Sequence, residues 1–278
     1  MPEPKPKKPL FNPESRRRGI YILPSLLTTA ALFSGFFAII QAVQGNFEMA
    51  AIAVFVAMVM DGLDGRVARM TNTQSAFGAE YDSLSDMVSF GVAPALIMYT
   101  WALSDLGRTG LLAAFIYCAG AALRLARFNT MIGVTDKRYF QGLPSPAAAA
   151  FVVGLVWLAQ DMQISPADVR WLCWLAASIT VIAGITMVSN ILFYSFKDIN
   201  LKKRVPFMTI VALVLAMVLI PSINTAGFLF GFFMFYLLSG YLLAAMRFFS
   251  RKRALRSTPP ISSDPAGAAH GNEEPTQR

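Results

Sequence analysis

The sequence predicts an all-α fold, a polytopic integral membrane bundle of about eight transmembrane helices with both termini in the cytoplasm. Of the 278 residues, 55% are hydrophobic and only 14% are charged. The mean hydropathy of +0.52 is well above that of soluble globular domains. No short apolar stretch followed by a small-residue cleavage site occurs near the start, so we expect the first span to remain in place.

Eight segments are apolar enough to be spans, since a helix needs about 20 apolar residues to cross a hydrocarbon core of roughly 30 Å. Their predicted extents are 21–43, 47–70, 83–104, 109–131, 145–160, 168–190, 205–221 and 226–248. The fifth and seventh are short, so seven spans or one re-entrant segment stay open as alternatives. The spans lie in a transmembrane domain at 19–250, between predicted disordered tails at 1–18, which is basic, and 251–278.

The basic residues indicate the orientation, because cytoplasmic loops carry an excess of Lys and Arg. With both termini in the cytoplasm, only Arg108 and Arg170 of the 24 Lys and Arg residues lie outside. This distribution requires an even number of spans. The net charge of +8 is then explained by basic residues that set the membrane orientation and attract anionic lipid. We therefore expect no nucleic-acid partner.

Thiol and imidazole chemistry have little support in this sequence. Cys118 and Cys173 lie within apolar runs and lack partner spacing, which argues against a disulfide or a zinc site. The only histidine, His270, lies in the polar C-terminal tail. A mechanism that needs a histidine in the membrane domain is therefore excluded.

Four aspartates interrupt the apolar pattern where the second span ends and the third begins. Asp61 and Asp64 are three residues apart, and Asp82 and Asp86 are four apart, so each pair shares one helix face. At about 1.5 Å per residue from Phe47, the first pair lies near the cytoplasmic end of its span. A tight connection between the two spans can direct all four carboxylates into one cavity.

The charge of these carboxylates has to be balanced, because one carboxylate near the membrane centre costs roughly 2.5–3.5 kcal/mol on insertion scales. Two divalent cations balance four carboxylates, and oxygen ligands without His or Cys favour Mg²⁺ or Mn²⁺ over Zn²⁺. A structural network with Arg66 and Arg69 is the alternative, although two arginines cannot neutralise four acids. We therefore predict a site for two cations, Mg²⁺ or Mn²⁺.

Small residues surround the acids and leave space for a flat or phosphorylated ligand, or for a neighbouring backbone. They are Gly62, Gly65, Ala68 and Gly78. Helix packing is the alternative explanation of their size.

The spacing of these residues resembles the signature of the CDP-alcohol phosphotransferases. The chain reads Asp61-Gly62-x-Asp64-Gly65-x-x-Ala68-Arg69, followed by Gly78, Asp82 and Asp86, and every defined position of the signature is matched. "ILPSLLTTAALFSGFFAI", "AALRLARFNT", "YFQGLPSPAAA" and "MVSNILFYSFK" are similar to segments of the bacterial phosphatidylserine synthases, over about residues 20 to 250. Ser25 and Ala31 stand where many relatives carry Asn, which weakens the case for a polar role of the first span.

The resemblance implies a multi-pass enzyme of the bacterial inner membrane, usually a homodimer, whose active site faces the cytoplasm. Such enzymes transfer the phosphatidyl group of CDP-diacylglycerol to the hydroxyl of L-serine and release CMP. The resemblance makes Asp61, Asp64, Asp82 and Asp86 metal ligands, and Asp86 also the general base. It assigns the nucleotide and phosphates of the donor to Gly62, Gly65, Ala68, Arg69 and Gly78. A snorkelling side chain is the alternative for Arg69.

Candidates for binding the acceptor or a phosphate lie farther along the chain. Arg124 and Arg127 are three residues apart at the cytoplasmic end of the fourth span and suit a carboxylate or a pyrophosphate, unless they are only topology anchors. The further candidates are Asn129, Ser145, Ser189, Asn190 and Lys197. Ser145 could instead cap the fifth helix, with Pro146 at the first helical position.

Two other functions and one other mechanism stay open. A sibling enzyme would use glycerol 3-phosphate or inositol phosphate, although these dianionic acceptors should need more cationic groups. A divalent-cation transporter would need polar residues through the external half of the spans, where the chain reads "AAIAVFVAMV". A covalent phosphoseryl intermediate at Ser83 or Ser85 would need an activating His or Lys nearby.

Overall fold

Eight helices and two short strands make up the part of the chain that the structure, a computed structural model, describes: residues 13–73, 75–130, 139–194 and 224–257. The helices are α1 (Pro13–Val43), α2 (Phe47–Met70), α3 (Ala76–Asp86), α4 (Ala93–Met98), α5 (Arg108–Thr130), α6 (Ser145–Asp161), α7 (Arg170–Val188) and α8 (Thr225–Ser257). The strands β1 (Tyr139–Gln141) and β2 (Leu192–Tyr194) pair antiparallel, with Phe140 opposite Phe193. The all-α class is confirmed, apart from this ladder, which the sequence did not indicate.

Within the described residues, five helical segments are long and apolar enough to cross a membrane. They are Pro24–Val43, Ala76–Leu106, Arg108–Thr130, Arg170–Val188 and Thr225–Met246. Helix α2 has 24 residues but carries the charged motif, and α6 has only 17 residues. The predicted span at 205–221 lies outside the described residues, so the total of eight spans and the orientation of the termini stay predictions.

The helix boundaries differ from the predicted spans at several ends. The third helical stretch begins at Ala76 and not at residue 83, because Ser75 caps it with a hydroxyl that accepts from the Gly78 N–H at 3.0 Å. Helix α1 begins at Pro13 and α8 ends at Ser257, so both helices extend into the segments predicted as tails. The rest of both tails lies outside the described residues.

The stretch from Ala76 to Leu106 is helical throughout but changes its winding. Segments Met87–Val92 and Tyr99–Leu103 are π-helical, and a 3₁₀ turn ends the stretch. The Tyr117 hydroxyl, on α5, donates to the Phe90 carbonyl at 2.9 Å. A π segment is often a functional feature of a helix, and this one begins immediately after Asp86.

Helices α5 and α7 cross where two glycines remove side-chain bulk. A Cβ atom added at Gly120 would lie 2.5 Å from the Gly184 carbonyl oxygen, and one added at Gly184 would lie 2.8 Å from the Tyr117 Cα atom. Small residues permit this close backbone approach between membrane helices. Helix α6 is apolar on all sides and deeply buried, and every residue from Ala147 to Val156 is in the core.

A tight turn between α2 and α3 positions the acidic motif. Thr71 and Asn72 form the turn, and the φ angle of Asn72 is +52°, a left-handed conformation that Asn tolerates better than most residues. The Thr73 N–H donates to the Ala68 carbonyl at 3.1 Å. The turn reverses the chain so that Asp82 of α3 approaches Asp61 and Asp64 of α2, as the sequence predicted.

Candidate active site

Carboxylates from two helices converge at this turn. Ligand oxygen atoms of Asp61 and Asp64, from α2, and of Asp82, from α3, all lie within 4.8 Å of one another. The Asp86 carboxyl lies within hydrogen-bonding reach of Asp61. Asp64 is buried, and the other three are half-buried. The structure therefore brings the four acids together.

The acid cluster suits a divalent cation. Asp82 Oδ1 is a buried oxygen without a hydrogen-bond partner in the described part of the chain, and an orphaned buried acceptor calls for an explanation. The three converging groups are all carboxylates, and hard cations such as Mg²⁺ and Mn²⁺ prefer oxygen ligands of this kind. A cation would also offset the repulsion among the carboxylates. The donor set and its charge therefore fit such an ion.

Arg124 is a cationic side chain that interacts electrostatically with the cluster, with Asp86 and Asp61 as its partners. Its Nη1 donates to the Ser145 hydroxyl at 2.5 Å. Ser145 is completely buried at the first residue of α6, and Pro144 holds the N-cap position without a side-chain cap. The capping role considered for Ser145 is therefore wrong, because its side chain accepts from Arg124.

Arg127 connects three parts of the chain near the end of α5. Its Nη2 donates to Gln141 Oε1 at 2.7 Å and to Asn190 Oδ1 at 2.6 Å, and its Nη1 donates to the Val188 carbonyl at 3.4 Å. These oxygens are neutral, so the contacts orient the guanidinium without cancelling its charge. Gln141 was not predicted, because its position beside Arg127 depends on the path of the connection after α5.

Ser83 and Ser85 both make structural hydrogen bonds. The Ser83 hydroxyl lies 3.1 Å from Asn129 Oδ1 and accepts from its Nδ2 at 3.0 Å, which joins α3 to α5. The Ser85 hydroxyl donates to the Thr28 carbonyl at 3.2 Å, which joins α3 to α1. Asn129 therefore has a protein partner beside Asp82, and neither serine resembles an activated nucleophile.

Thr28 is a site residue that the sequence did not indicate. Its hydroxyl donates to Asp64 Oδ2 at 2.6 Å, from α1 to α2. Ser25 and Ala31 had put a polar role of the first span in doubt, and the Thr28 contact gives α1 such a role. The Ala31 position still contributes a polar group, since its backbone carbonyl accepts from the Ser89 hydroxyl at 3.2 Å. A pair of threonines in an apolar span was the available signal, but no spacing rule connects it to Asp64.

The small residues of the motif differ in their surroundings. A Cβ atom added at Gly62 would have no neighbour within 4 Å, and one added at Gly65 would meet only Arg69 Nη2 at 4.0 Å. Both positions border open space, as expected of a ligand site and not of helix packing. Gly78 instead lies against its capping residue, at 3.1 Å from Ser75 Oγ. Ala68 is half-buried, and Arg69 is exposed.

The remaining acceptor candidates are Ser189 and Lys197. The Ser189 hydroxyl donates to the Thr186 carbonyl at 2.8 Å, at the end of its own helix. Lys197 lies outside the described residues. Sequence spacing therefore located the acids better than the groups around them.

A family model described as CDP-alcohol phosphatidyltransferase matches residues 21–185. The chain belongs to this family. The matched segment includes the whole acidic motif and Arg124, so the resemblance stated from the motif is confirmed.

Several CDP-alcohol phosphatidyltransferases of known name are similar to this chain. The CDP-diacylglycerol-serine O-phosphatidyltransferase of Helicobacter pylori is 36% identical over 217 residues, which cover 78% of this chain and 90% of that protein. The enzyme of the same name from Methanocaldococcus jannaschii is 35% identical over 204 residues, which cover 73% of this chain and 87% of that protein. The crystal structure of Mycobacterium tuberculosis phosphatidylinositol phosphate synthase with CDP-DAG bound aligns with a TM-score of 0.44 and 22% identity, covering 60% of this chain and 85% of that one.

Proposed function

We propose that this protein transfers the phosphatidyl group of CDP-diacylglycerol to the hydroxyl of L-serine, forming phosphatidylserine and CMP. The observation that carries the proposal is the convergence of Asp61, Asp64 and Asp82 within 4.8 Å. It occurs in a chain that matches a CDP-diacylglycerol-serine O-phosphatidyltransferase over 90% of that protein's length. Carboxylates gathered in this way suit phosphoryl transfer, in which the protein mainly positions and neutralises the phosphates.

Asp61, Asp64, Asp82 and Asp86 would hold two divalent cations, Mg²⁺ or Mn²⁺. Such cations, when bound, offset the negative charge of the donor pyrophosphate and of the departing CMP. The unpartnered Asp82 oxygen supports this assignment.

Asp86 would be the general base. Its carboxylate accepts the proton of the serine hydroxyl, and the serine oxygen forms a bond to the phosphorus that carries the lipid. The bond from that phosphorus to the CMP oxygen breaks in the same displacement. Asp86 lies beside Asp61 and Arg124, and Arg124 is a candidate for binding the acceptor. This supports the role, because a base must lie within hydrogen-bond reach of the acceptor hydroxyl.

The donor would lie along the open face of α2. Gly62 and Gly65 border open space, which supports the placement of the nucleotide there. Arg69 is exposed at the same helix end and would meet the donor phosphates. Ala68 and Gly78 would line the path of the nucleotide as part of the family motif.

The acceptor would bind near the end of α5. Arg127 keeps its positive charge among neutral partners, so it can pair with the carboxylate of serine. Arg124 lies between the acids and Ser145 and can orient either the carboxylate or a donor phosphate. Asn129 and Asn190 would support these groups, and Ser189 and Lys197 complete the candidate set.

The enzyme would lie in the bacterial inner membrane as a homodimer of eight-span chains. Both termini and the active site would face the cytoplasm, where water-soluble serine is available. The distribution of Lys and Arg supports this orientation. The surrounding bilayer would supply the lipid donor.

Acceptor specificity tests the proposed function directly. Purified protein is given CDP-diacylglycerol and Mg²⁺ or Mn²⁺ with L-serine, glycerol 3-phosphate or inositol phosphate, while CMP and the lipid product are measured. We expect CMP and phosphatidylserine with serine alone and no product in the presence of a chelator. CMP release with another acceptor but not with serine would overturn the assignment. Metal flux in proteoliposomes without CMP release would favour the transporter.

A matched pair of variants tests whether the acid cluster is needed for activity in this assay. Asp82→Asn should remove activity, because it alters a carboxylate of the cluster. Asp105→Asn changes an exposed acid at the far end of the same helical stretch and should leave activity near the wild-type rate. Equal activity of the two variants would contradict a catalytic role of the cluster.

A further inference from the structure

Thr28 lies on α1 and contacts the acid cluster from a helix that carries none of its acids. Its side chain is 5% exposed, and so is that of Asp64. The hydroxyl lies 2.6 Å from Asp64 Oδ2, across a separation of 36 residues in sequence. Burial of both groups keeps water from replacing this hydrogen bond.

The hydroxyl has one proton and two acceptors nearby. The Pro24 carbonyl lies 3.1 Å from Thr28 Oγ1, whereas the Asp64 oxygen lies at 2.6 Å. Hydrogen bonds from a hydroxyl to a carboxylate are about 2.5–2.7 Å long and stronger than those to a neutral carbonyl. Both the distance and the charge therefore assign the proton to Asp64.

The same turn of α1 is also fastened to α3. The Thr28 carbonyl accepts from Ser85, which precedes Asp86, and the Ala31 carbonyl accepts from Ser89. A Cβ atom added at Gly35 would collide with Ser89, so the two helices lie in close contact. This packing fixes the position of the Thr28 hydroxyl relative to the acids of both α2 and α3.

We propose that Thr28 is a positioning residue of the metal centre and holds the Asp64 carboxylate in the orientation that binds a cation. This inference rests on the proposed function, in which Asp64 is a ligand. One oxygen of the Asp64 carboxylate accepts the hydrogen bond from the Thr28 hydroxyl, and the other oxygen stays available to bind the cation. A neutral donor orients the carboxylate without adding a positive charge that would compete with the ion. Loss of such a supporting group typically costs about 10–100-fold in metal affinity or activity.

The test compares two buried threonines. Thr28→Val keeps the shape of the side chain and removes the hydroxyl. Thr180→Val is the matched control, since Thr180 is also buried but its hydroxyl donates only to the Ala176 carbonyl of its own helix, at 2.7 Å. Thr28→Ser restores the hydroxyl. Binding of Mn²⁺ to the full-length protein is measured by electron paramagnetic resonance, without CDP-diacylglycerol or serine.

We expect Thr28→Val to raise the Kd for Mn²⁺ by about 10–100-fold, with Thr28→Ser and Thr180→Val within about threefold of wild type. In an Asp64→Ala background, Thr28→Val should have no further effect, because the acceptor of the hydroxyl has been removed. Unchanged Mn²⁺ affinity of folded Thr28→Val would overturn the proposal. Equal loss in Thr28→Val and Thr28→Ser would also overturn it, by assigning the effect to packing.

A second pair of variants tests the role of the hydroxyl if Thr28→Val does not fold. Thr28→Ala and Thr28→Ser both lack the methyl group of threonine and differ only in the hydroxyl. The Thr28→Ser variant should therefore bind Mn²⁺ about 10-fold more tightly than the Thr28→Ala variant. Equal affinity would contradict the role of the hydroxyl. Because no substrate is present, these results do not depend on the acceptor. Normal Mn²⁺ binding by Thr28→Val together with serine turnover by the wild type would reject the positioning role and leave the proposed function intact.

Discussion

At the residue scale, Asp86 lies beside both the acid cluster and Arg124. Asp86→Asn keeps the size and one oxygen of the side chain but removes its capacity to accept a proton. We expect the rate of CMP release to fall by about 10²–10⁴-fold, the usual contribution of general base catalysis, while Mn²⁺ binding falls much less. Steady-state kinetics and a metal titration measure the two effects. A near-normal rate would remove Asp86 from the role of base.

Asp61 lies near Asp64 and also contacts Asp82 and Asp86. Asp61→Ala should therefore reduce the rate and raise the Mg²⁺ or Mn²⁺ concentration needed for half-maximal activity. Metal titration of CMP release measures both quantities. Asp168→Ala, at an exposed acid outside the cluster, is the control. An unchanged metal titration for Asp61→Ala would argue against ligation.

Arg127 should affect the acceptor more than the donor. Loss of one charge-assisted hydrogen bond costs about 1.5–3 kcal/mol, so Arg127→Ala should raise the KM for serine by at least about 10-fold with a smaller change for CDP-diacylglycerol. Gln141→Ala, which removes one orienting contact, should raise the serine KM less. The reverse pattern, with the larger change in the donor KM, would place Arg127 beside the donor phosphates.

At the scale of the elements, the crossing of α5 and α7 depends on backbone contact. A Cβ atom at Gly184 would lie 2.8–3.0 Å from backbone atoms of Ile116 and Tyr117, which cannot move independently of their helix. Gly184→Ala should therefore destabilise the protein by about 1–3 kcal/mol, the usual cost of overpacking. Thermal unfolding in detergent measures this as a lower Tm.

Gly231→Ala is the control for that substitution. Gly231 lies on α8, and a Cβ atom there would have no neighbour within 4 Å. An alanine at such a helical position should leave the Tm unchanged or raise it slightly, because it restricts the unfolded chain. Equal Tm values for the two variants would show that the crossing tolerates a methyl group.

The elements also show which parts of the site the sequence could predict. The convergence of Asp61 and Asp82 was predictable, because their helices are adjacent in sequence and joined by a short turn. The contacts of Arg127 with Gln141 and Asn190 were not, because they join connections that follow different helices. The π segment after Asp86 also lacked a sequence signal, and one of its carbonyls, that of Phe90, accepts from Tyr117 of a different helix.

At the scale of the whole molecule, the asymmetric distribution of Lys and Arg predicts the orientation. Maleimide labelling of single cysteines tests it, in a background with Cys118 and Cys173 replaced. Ser104→Cys, at an exposed turn, should react with an impermeant reagent in spheroplasts. Met70→Cys, at the exposed end of α2, should react only after permeabilisation. The opposite pattern would place the acid cluster on the external side.

The sequence by itself determined the helical membrane class, the acidic motif and the family. These features are local, because the length of an apolar run and the spacing of residues on one or two adjacent helices need no knowledge of the packing. Only the tertiary structure decided that Thr28 reaches Asp64, that Arg124 joins the acids to Ser145, and which partners orient Arg127. Such contacts depend on how helices that are far apart in sequence rotate and cross. The packing of apolar faces throughout the folded protein sets this rotation and crossing.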